Sequence, residues 1–310
     1  MSRPTTPEGW AIRITQMLNM YQGAHGLPRF PIDVAAIATE FSRQFFPEAP
    51  ITMVKGVALS KGIEGMLMPS PDRSGEWGIL YNSSIRSRGR QNFTLAHEFG
   101  HYLLHRAELE AGRECSGRDM GEWHNGRQRT RDEIVEAEAN SFASYLLMPL
   151  DDFRGRIEGR TIDIDTMTAL AEQYEVSLTA AILKWLSITG QRAMIVVGKD
   201  GFMDWAWSSD ALLRSRIYYA ARQTTIELPP ASLAARGGDP DKARRGVMHP
   251  PGVWLGSDPV REMTVFSPSN EMTISLLLYP DRAPTAREMA ALEDEPVPDT
   301  FDRFIDGGRR

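Results

Sequence analysis

The stretch "FTLAHEFGHYLLH", residues 93 to 105, constrains this chain more than any other, because it holds three of the six histidines at intervals of four with Glu98 lodged between the first two. On a helix, residues four apart lie on nearly the same face one turn up, so His97 and His101 present two imidazoles to one point. Glu98 then sits about 100° round from His97. From there a carboxylate reaches a water beside a bound ion without itself being a ligand. The plainer reading is a helix with histidines on its packed face. The spacing favours the ion, since such a five-residue pattern arises by chance in roughly one chain of this size in a hundred.

His105 extends the row, but two turns separate it from His97 by about 12 Å along the axis. It belongs to the surroundings of the site or to the core, not among the ligands. A longer motif with a third histidine six residues past the second is absent, because that position is Ala107. The third ligand must come from elsewhere. "RDEIVEAEANSFASYLLMP", residues 131 to 149, reads as a strong helix over about 132 to 148 and offers Glu133, Glu136 and Glu138. Ala139, Asn140, Ala143 and Leu147 fall within about 60° of Glu136, so its face is small and lets another helix approach closely. Glu138 points the opposite way, towards Ile134, Ser141, Phe142 and Tyr145. Glu136 therefore ranks first, and a carboxylate buried there asks for a cation. Asn140, one turn on, can accept a hydrogen bond from the second nitrogen of a ligating imidazole and fix its tautomer, though a polar helix residue also explains it.

Taken together, "FTLAHEFGHYLLH" and "EAEANSFASYLLMP" resemble the ImmA/IrrE metallo-endopeptidases, over roughly residues 30 to 150 and with the lead-in Arg90 to Glu98 included. The resemblance implies a zincin-like domain in which His97, His101 and Glu136 hold Zn2+ and Glu98 is catalytic in peptide hydrolysis. It implies further that the protein substrate is a helix-turn-helix repressor of the XRE type, whose cleavage releases stress-response or mobile-element genes. A helical segment followed by a GAF-like sensor domain, as in the radiation-response branch, resembles residues 151 to 310 more weakly.

The rest of the chain fits an α+β protein in three parts: a zincin-like metallopeptidase domain at 1 to 150, a helix-turn-helix-like linker at 151 to 190, and a C-terminal α/β, GAF-like sensor domain at 191 to 310. Trp10, Ile14, Met17, Leu18 and Tyr21 form one helical stripe, and a second helix is expected to open at Pro31. "ITMVKGVAL", "IEGMLMP" and "EWGILYN" suggest a small β-meander. Residues 107 to 131 read as a loop or lid. Two short helices are expected within 163 to 188, joined at Glu175-Val176-Ser177. Strands follow at "AMIVVG" and "FMDWAWS" around the turn Lys199-Asp200-Gly201, then a helix at 210 to 221, a flexible Gly/Ala/Pro-rich stretch at 229 to 247, and a hairpin from "REMTVF" and "EMTISLLLYP".

Composition narrows the partners. A net charge of −6 gives no global attraction to nucleic acid or anionic membrane. One cysteine suits a reducing cytoplasm, and no stretch has signal-peptide character or the roughly 20 apolar residues needed to span a bilayer, so a cytoplasmic protein is expected. Direct nucleic-acid binding is not expected either, because the second helix of the 163 to 188 pair carries only Lys184 among Leu178, Ile182, Leu183, Trp185 and Leu186. Several weaker signals remain. Cys115 or His124 can swing over the open metal position from the loop, against the plainer reading of ordinary loop residues. "WGILYN" can serve as an edge for an extended peptide, or be an internal strand. Phe202, Trp205 and Trp207 read as sheet core rather than a ligand cage, and a small-molecule or signal ligand in the C-terminal domain rests on fold-level analogy. The rivals to a peptidase are a DNA-binding regulator with a structural metal site and a module that captures a repressor without cutting it. Glu98, which adds nothing to metal binding, speaks against the second.

Overall fold

The computed structural model describes residues 3–60, 62–110, 131–221, 224–267 and 272–282. Contacts divide the chain into two units, one of residues 1–158 with 171–177, the other of 159–170 with the residues from 178 on. The helical stretch expected at 151 to 190 is thus shared between them.

In the first unit, helix α1 (Pro7–His25) starts with Pro7 at its first position and the Thr6 hydroxyl accepting from the Gly9 amide, the arrangement that satisfies a free helix N-terminus. Its apolar stripe is shorter than expected. Trp10 and Ile14 are buried, while Tyr21 in the last turns is exposed. Helix α2 (Val34–Phe45) opens after Pro31 rather than at it, because the Asp33 carboxylate caps the Ala36 amide at 3.0 Å.

Strands β1 (Ile51–Val57), β2 (Gly65–Pro69) and β3 (Trp77–Asn82) form a mixed sheet in the order β1-β3-β2. β1 runs parallel to β3 and β2 antiparallel to it, so the expected meander is not formed. "WGILYN" is the central strand, not an edge. The sequence is consistent with that place: Trp77, Gly78 and Ile79 are buried in succession, as suits a strand covered on both faces. The long helix α3 (Arg88–Glu110) packs on β2 and β3, and α4 (Arg131–Leu147) packs on α3 and α1. Pro149 ends α4 and caps α5 (Leu150–Ile157). Helix α6 (Ile164–Tyr174) brings Tyr174 between Phe30 and Phe153, at ring separations of 4.8 and 5.8 Å.

The second unit centres on a five-stranded antiparallel sheet in the order β5-β4-β8-β7-β6, made from β4 (Ala193–Lys199), β5 (Phe202–Ser208), β6 (Val247–His249), β7 (Val260–Ser267) and β8 (Met272–Leu278). Asp200 and Gly201, at φ of 51° and 83°, make the tight turn between β4 and β5 that matches the strand twist. Helix α7 (Leu178–Leu186) packs against β4, and Lys184, the cation weighed for a DNA groove, is buried within that helix's packed surface. A register shift opposite Val197 and Gly198 puts Met203 and Trp205 on opposite faces of β5. As a result Met203 joins the core of Met194, Val196 and Trp254. Phe202, the first residue of the strand, is exposed and does not share the buried setting of Trp205 and Trp207.

Two other expectations in this unit are corrected. The helix at 210 to 221 is only α8 (Asp210–Leu213), because Arg216 at φ 56° takes the chain out of helical geometry. The stretch at 229 to 247 holds two short helices, α9 (Leu233–Arg236) and α10 (Pro240–Arg245), capped by Ser232 and Asp239. The buried Glu262 carboxylate also accepts from the Leu233 and Ala234 amides at 3.0 Å each. Of the loop or lid expected at 107 to 131, the first four residues continue α3 and Arg131 opens α4; the rest, with Cys115 and His124, lies outside the described residues, as does the acidic end of the chain. Among those described, no helix is long and apolar enough to cross a membrane.

Candidate metal centre

The site is assembled where α3 and α4 lie against each other. Phe99 and Tyr102 anchor the inner side of α3, with the Tyr102 hydroxyl donating to the Ala49 carbonyl at 2.6 Å. Rotating round the helix from that anchored side brings His97, His101 and His105 into one buried row. At its start α3 is tied to the strand beside it, since Arg90 Nε donates to the Glu64 carboxylate at 2.9 Å. The next residue, Gly65 on β2, passes directly over Glu98: a β-carbon there would lie 2.9 Å from Glu98 Oε1. Only glycine lets the strand approach so closely.

The opposing helix meets this row residue by residue and runs antiparallel to it. Asn140 meets His97, Glu136 reaches both His97 and His101, and Arg131 pairs with Glu108. The small face expected around Glu136 is what permits the approach, because a β-carbon on Gly100 would stand 3.2 Å from the Ala139 Cα. Two carboxylate oxygens of Glu136 lie 3.4 Å from His97 Nε2 and 3.4 Å from His101 Nε2. Ligating atoms of His97, His101 and Glu136 all fall within 4.8 Å of one another. Burial opposes ionisation of Glu136, but the His101 and His97 rings, when protonated, outweigh it and hold the carboxyl well below the usual carboxylate range.

The histidine tautomers can be derived from their outer partners. His97 Nδ1 lies 2.9 Å from Asn140 Oδ1, an acceptor, so it carries the hydrogen and leaves Nε2 with its lone pair. His101 Nδ1 contacts His105 Nδ1 at 3.1 Å, and His105 Nε2 contacts Glu138 at 2.8 Å. The two inner nitrogens, His97 Nε2 and His101 Nε2, are 2.9 Å apart beside an ionised carboxylate. Two lone pairs and a negative charge converging on one point repel unless a cation sits among them, and two imidazoles with one carboxylate are a donor set that suits zinc. The residues fit a metal ion.

Residues 64–186 match the IrrE N-terminal-like domain, a peptidase family. This segment belongs to that family. The IrrE N-terminal-like domain thus contains β2, β3, the whole histidine row and α4, and it carries the ImmA/IrrE resemblance on the same residues. The match suggests a metallopeptidase-type function for this segment. No curated protein matches the chain. Among solved structures, a Mycobacterium tuberculosis transcriptional regulator is similar at 13% identity over 86% of this chain and 76% of that chain, with a TM-score of 0.49. A likeness at that level carries no further argument.

The reading of the sequence missed two partners in the domain. Glu138 was placed facing away from the site, yet through His105 it reaches the back of His101. The continuation of the histidine row to His105 was the available signal. Gly65 was passed over inside a strand, where an isolated glycine marks a close backbone approach. Burial pushes His105 down to about 4, so its ring is neutral near pH 7.

Proposed function

We propose that this chain is a zinc-dependent endopeptidase whose protein substrate is a helix-turn-helix transcriptional repressor. The observation that carries the reading is the division of labour at one helix turn: His97, His101 and Glu136 converge on a point, while the adjacent Glu98 lies under Gly65 and is absent from that cluster. A zinc ion bound there supplies Lewis acidity towards a water and a peptide carbonyl. Glu98 takes the proton from the attacking water and delivers it to the leaving amine, as a buried carboxylate beside such a site can. Asn140 holds the His97 ring in the tautomer that leaves Nε2 with its lone pair.

The substrate enters as an extended strand along β2. That strand has β3 on one side and no strand on the other among the described residues, and its Gly65 stands next to Glu98. Main-chain pairing along such an edge is the way a protease holds a segment of varied sequence. The edge role first considered for "WGILYN" passes to "GMLMP". The identity of the target rests on the ImmA/IrrE resemblance, and the second unit, with its five-stranded sheet, is read as a GAF-like sensor domain for a small-molecule signal. The test is incubation of the zinc-loaded protein with purified helix-turn-helix repressors, with Glu98→Gln as control and fragments identified by mass. Cleavage by the wild type alone supports the reading. A zinc-loaded protein that cuts unrelated unfolded peptides but no repressor overturns the proposed target.

A further inference from the structure

We infer that His105 and Glu138 are positioning residues for the metal centre: they form a hydrogen-bonded relay, Glu138 to His105 to His101, that sets the tautomer of His101 and the aim of its Nε2. The inference rests on the zinc peptidase reading.

The distances give the relay its direction. His105 Nε2 lies 2.8 Å from Glu138 Oε2, and a carboxylate oxygen accepts, so this nitrogen carries a hydrogen. His105 Nδ1 lies 3.1 Å from His101 Nδ1, and one of the two must be the donor. With the His105 hydrogen spent on Glu138, its Nδ1 accepts and His101 Nδ1 donates. His101 Nε2 is then left with a lone pair pointing at His97 Nε2 and Glu136. The opposite orientation would put the hydrogen on His101 Nε2 and leave no lone pair for a cation. Glu138 is itself held in place, since Arg131 stands 4.0 Å from its carboxylate and also pairs with Glu108 on α3. Asn140 does for His97 what the relay does for His101, so each inner nitrogen has its own outer determinant.

A merely structural role predicts something different. His105 is 2% exposed and Glu138 33% exposed as side chains, so a packing function would reside in His105 alone and be indifferent to the charge on Glu138. The relay requires both, in a graded order: removal of the acceptor at 138 should weaken the site more than neutralising it.

Zinc affinity of the full chain, measured by competition with a chromophoric chelator, tests this alongside the thermal midpoint of the metal-free protein. Loss of outer hydrogen bonds to a ligating imidazole lowers metal affinity about 10- to 100-fold. His105→Phe and Glu138→Leu are expected within that range and Glu138→Gln at its lower end or below, because the amide oxygen still accepts. The visible spectrum of the cobalt-substituted protein should shift in the same order. Affinity equal to wild type in the Glu138 variants overturns the relay, as does a loss that follows the fall in metal-free stability. Should His105→Phe not fold, the two Glu138 variants decide alone. A wild type that binds no zinc refutes the peptidase reading itself, an outcome separable from wild-type binding with indifferent variants.

Discussion

Gly100 and Ala139 bring the backbones of α3 and α4 into contact, for a β-carbon on Gly100 would lie 3.2 Å from both Cα and the carbonyl oxygen of Ala139 and 3.0 Å from the Phe142 ring. The distance between the two helices decides whether Glu136 reaches the histidines. Gly100→Val should therefore do two things at once: lower stability by about 1–3 kcal/mol through overpacking, and lower zinc content by drawing Glu136 away from His97 and His101. Metal analysis after dialysis, beside a thermal melt, checks both. Full zinc content in a destabilised variant would separate packing from ligand placement.

Glu98→Gln is expected to retain zinc while losing about 10²–10⁴-fold in cleavage rate, because the amide keeps the shape but cannot take up the water's proton. Equal loss of metal would mean that Glu98 belongs to the ligand set.

Glu136→Ala should abolish tight zinc binding. It removes the one carboxylate within reach of both inner nitrogens among the described residues of the cluster. Metal content of the purified variant, measured against Glu133→Ala as a control on the same helix, gives the answer.

Gly65→Ala targets the strand rather than the ion. Its new methyl group would fall 2.5 Å from the Thr94 side chain and 2.9 Å from Glu98 Oε1, so either β2 or the Glu98 carboxylate must shift. Displacement of a reacting group on that scale costs about 10- to 100-fold in rate. Zinc stoichiometry should be unchanged, which distinguishes this variant from those on α4.

Asp258 is expected to contribute to the acid stability of the second unit. Its side chain receives hydrogen bonds from Arg192 at 2.9 Å and from Arg282 at 3.2 Å. Burial raises the carboxyl, but those two guanidinium groups prevail and hold it below its ordinary value. A carboxylate depressed in the folded state contributes stability above its unfolded pKa, near 3.9, and loses it as the pH falls through the folded value. Asp258→Asn should cost about 3 kcal/mol at neutral pH, because it strands the buried Arg192, and should flatten the stability profile below about pH 4. Denaturant melts at a series of pH values read out both effects, and an unaltered acid limb would show that another carboxylate controls it.

Local geometry was legible in the sequence. His97 and His101 share a helix, so their spacing alone set them side by side, and the small face of Ala139 and Ala143 singled out Glu136 because a helix has only one side that can come so near another. The turn at Asp200 and Gly201 was legible for the same reason, since two residues with positive φ suffice to reverse a strand. What the tertiary structure decided was every relation whose partner is remote. Three short β-prone runs do not say which of them lies in the middle, because each can satisfy its backbone with either neighbour; the parallel pairing of β1 with β3 settled it and moved the edge to β2. A single register shift in β5 turned Met203 to the face opposite Trp205, which no alternation pattern encodes. The relay through His105 depended on the antiparallel alignment of α3 and α4. A helical projection gives the direction of Glu138 about its own axis, but only the packing of the second helix determines which side chain it meets there.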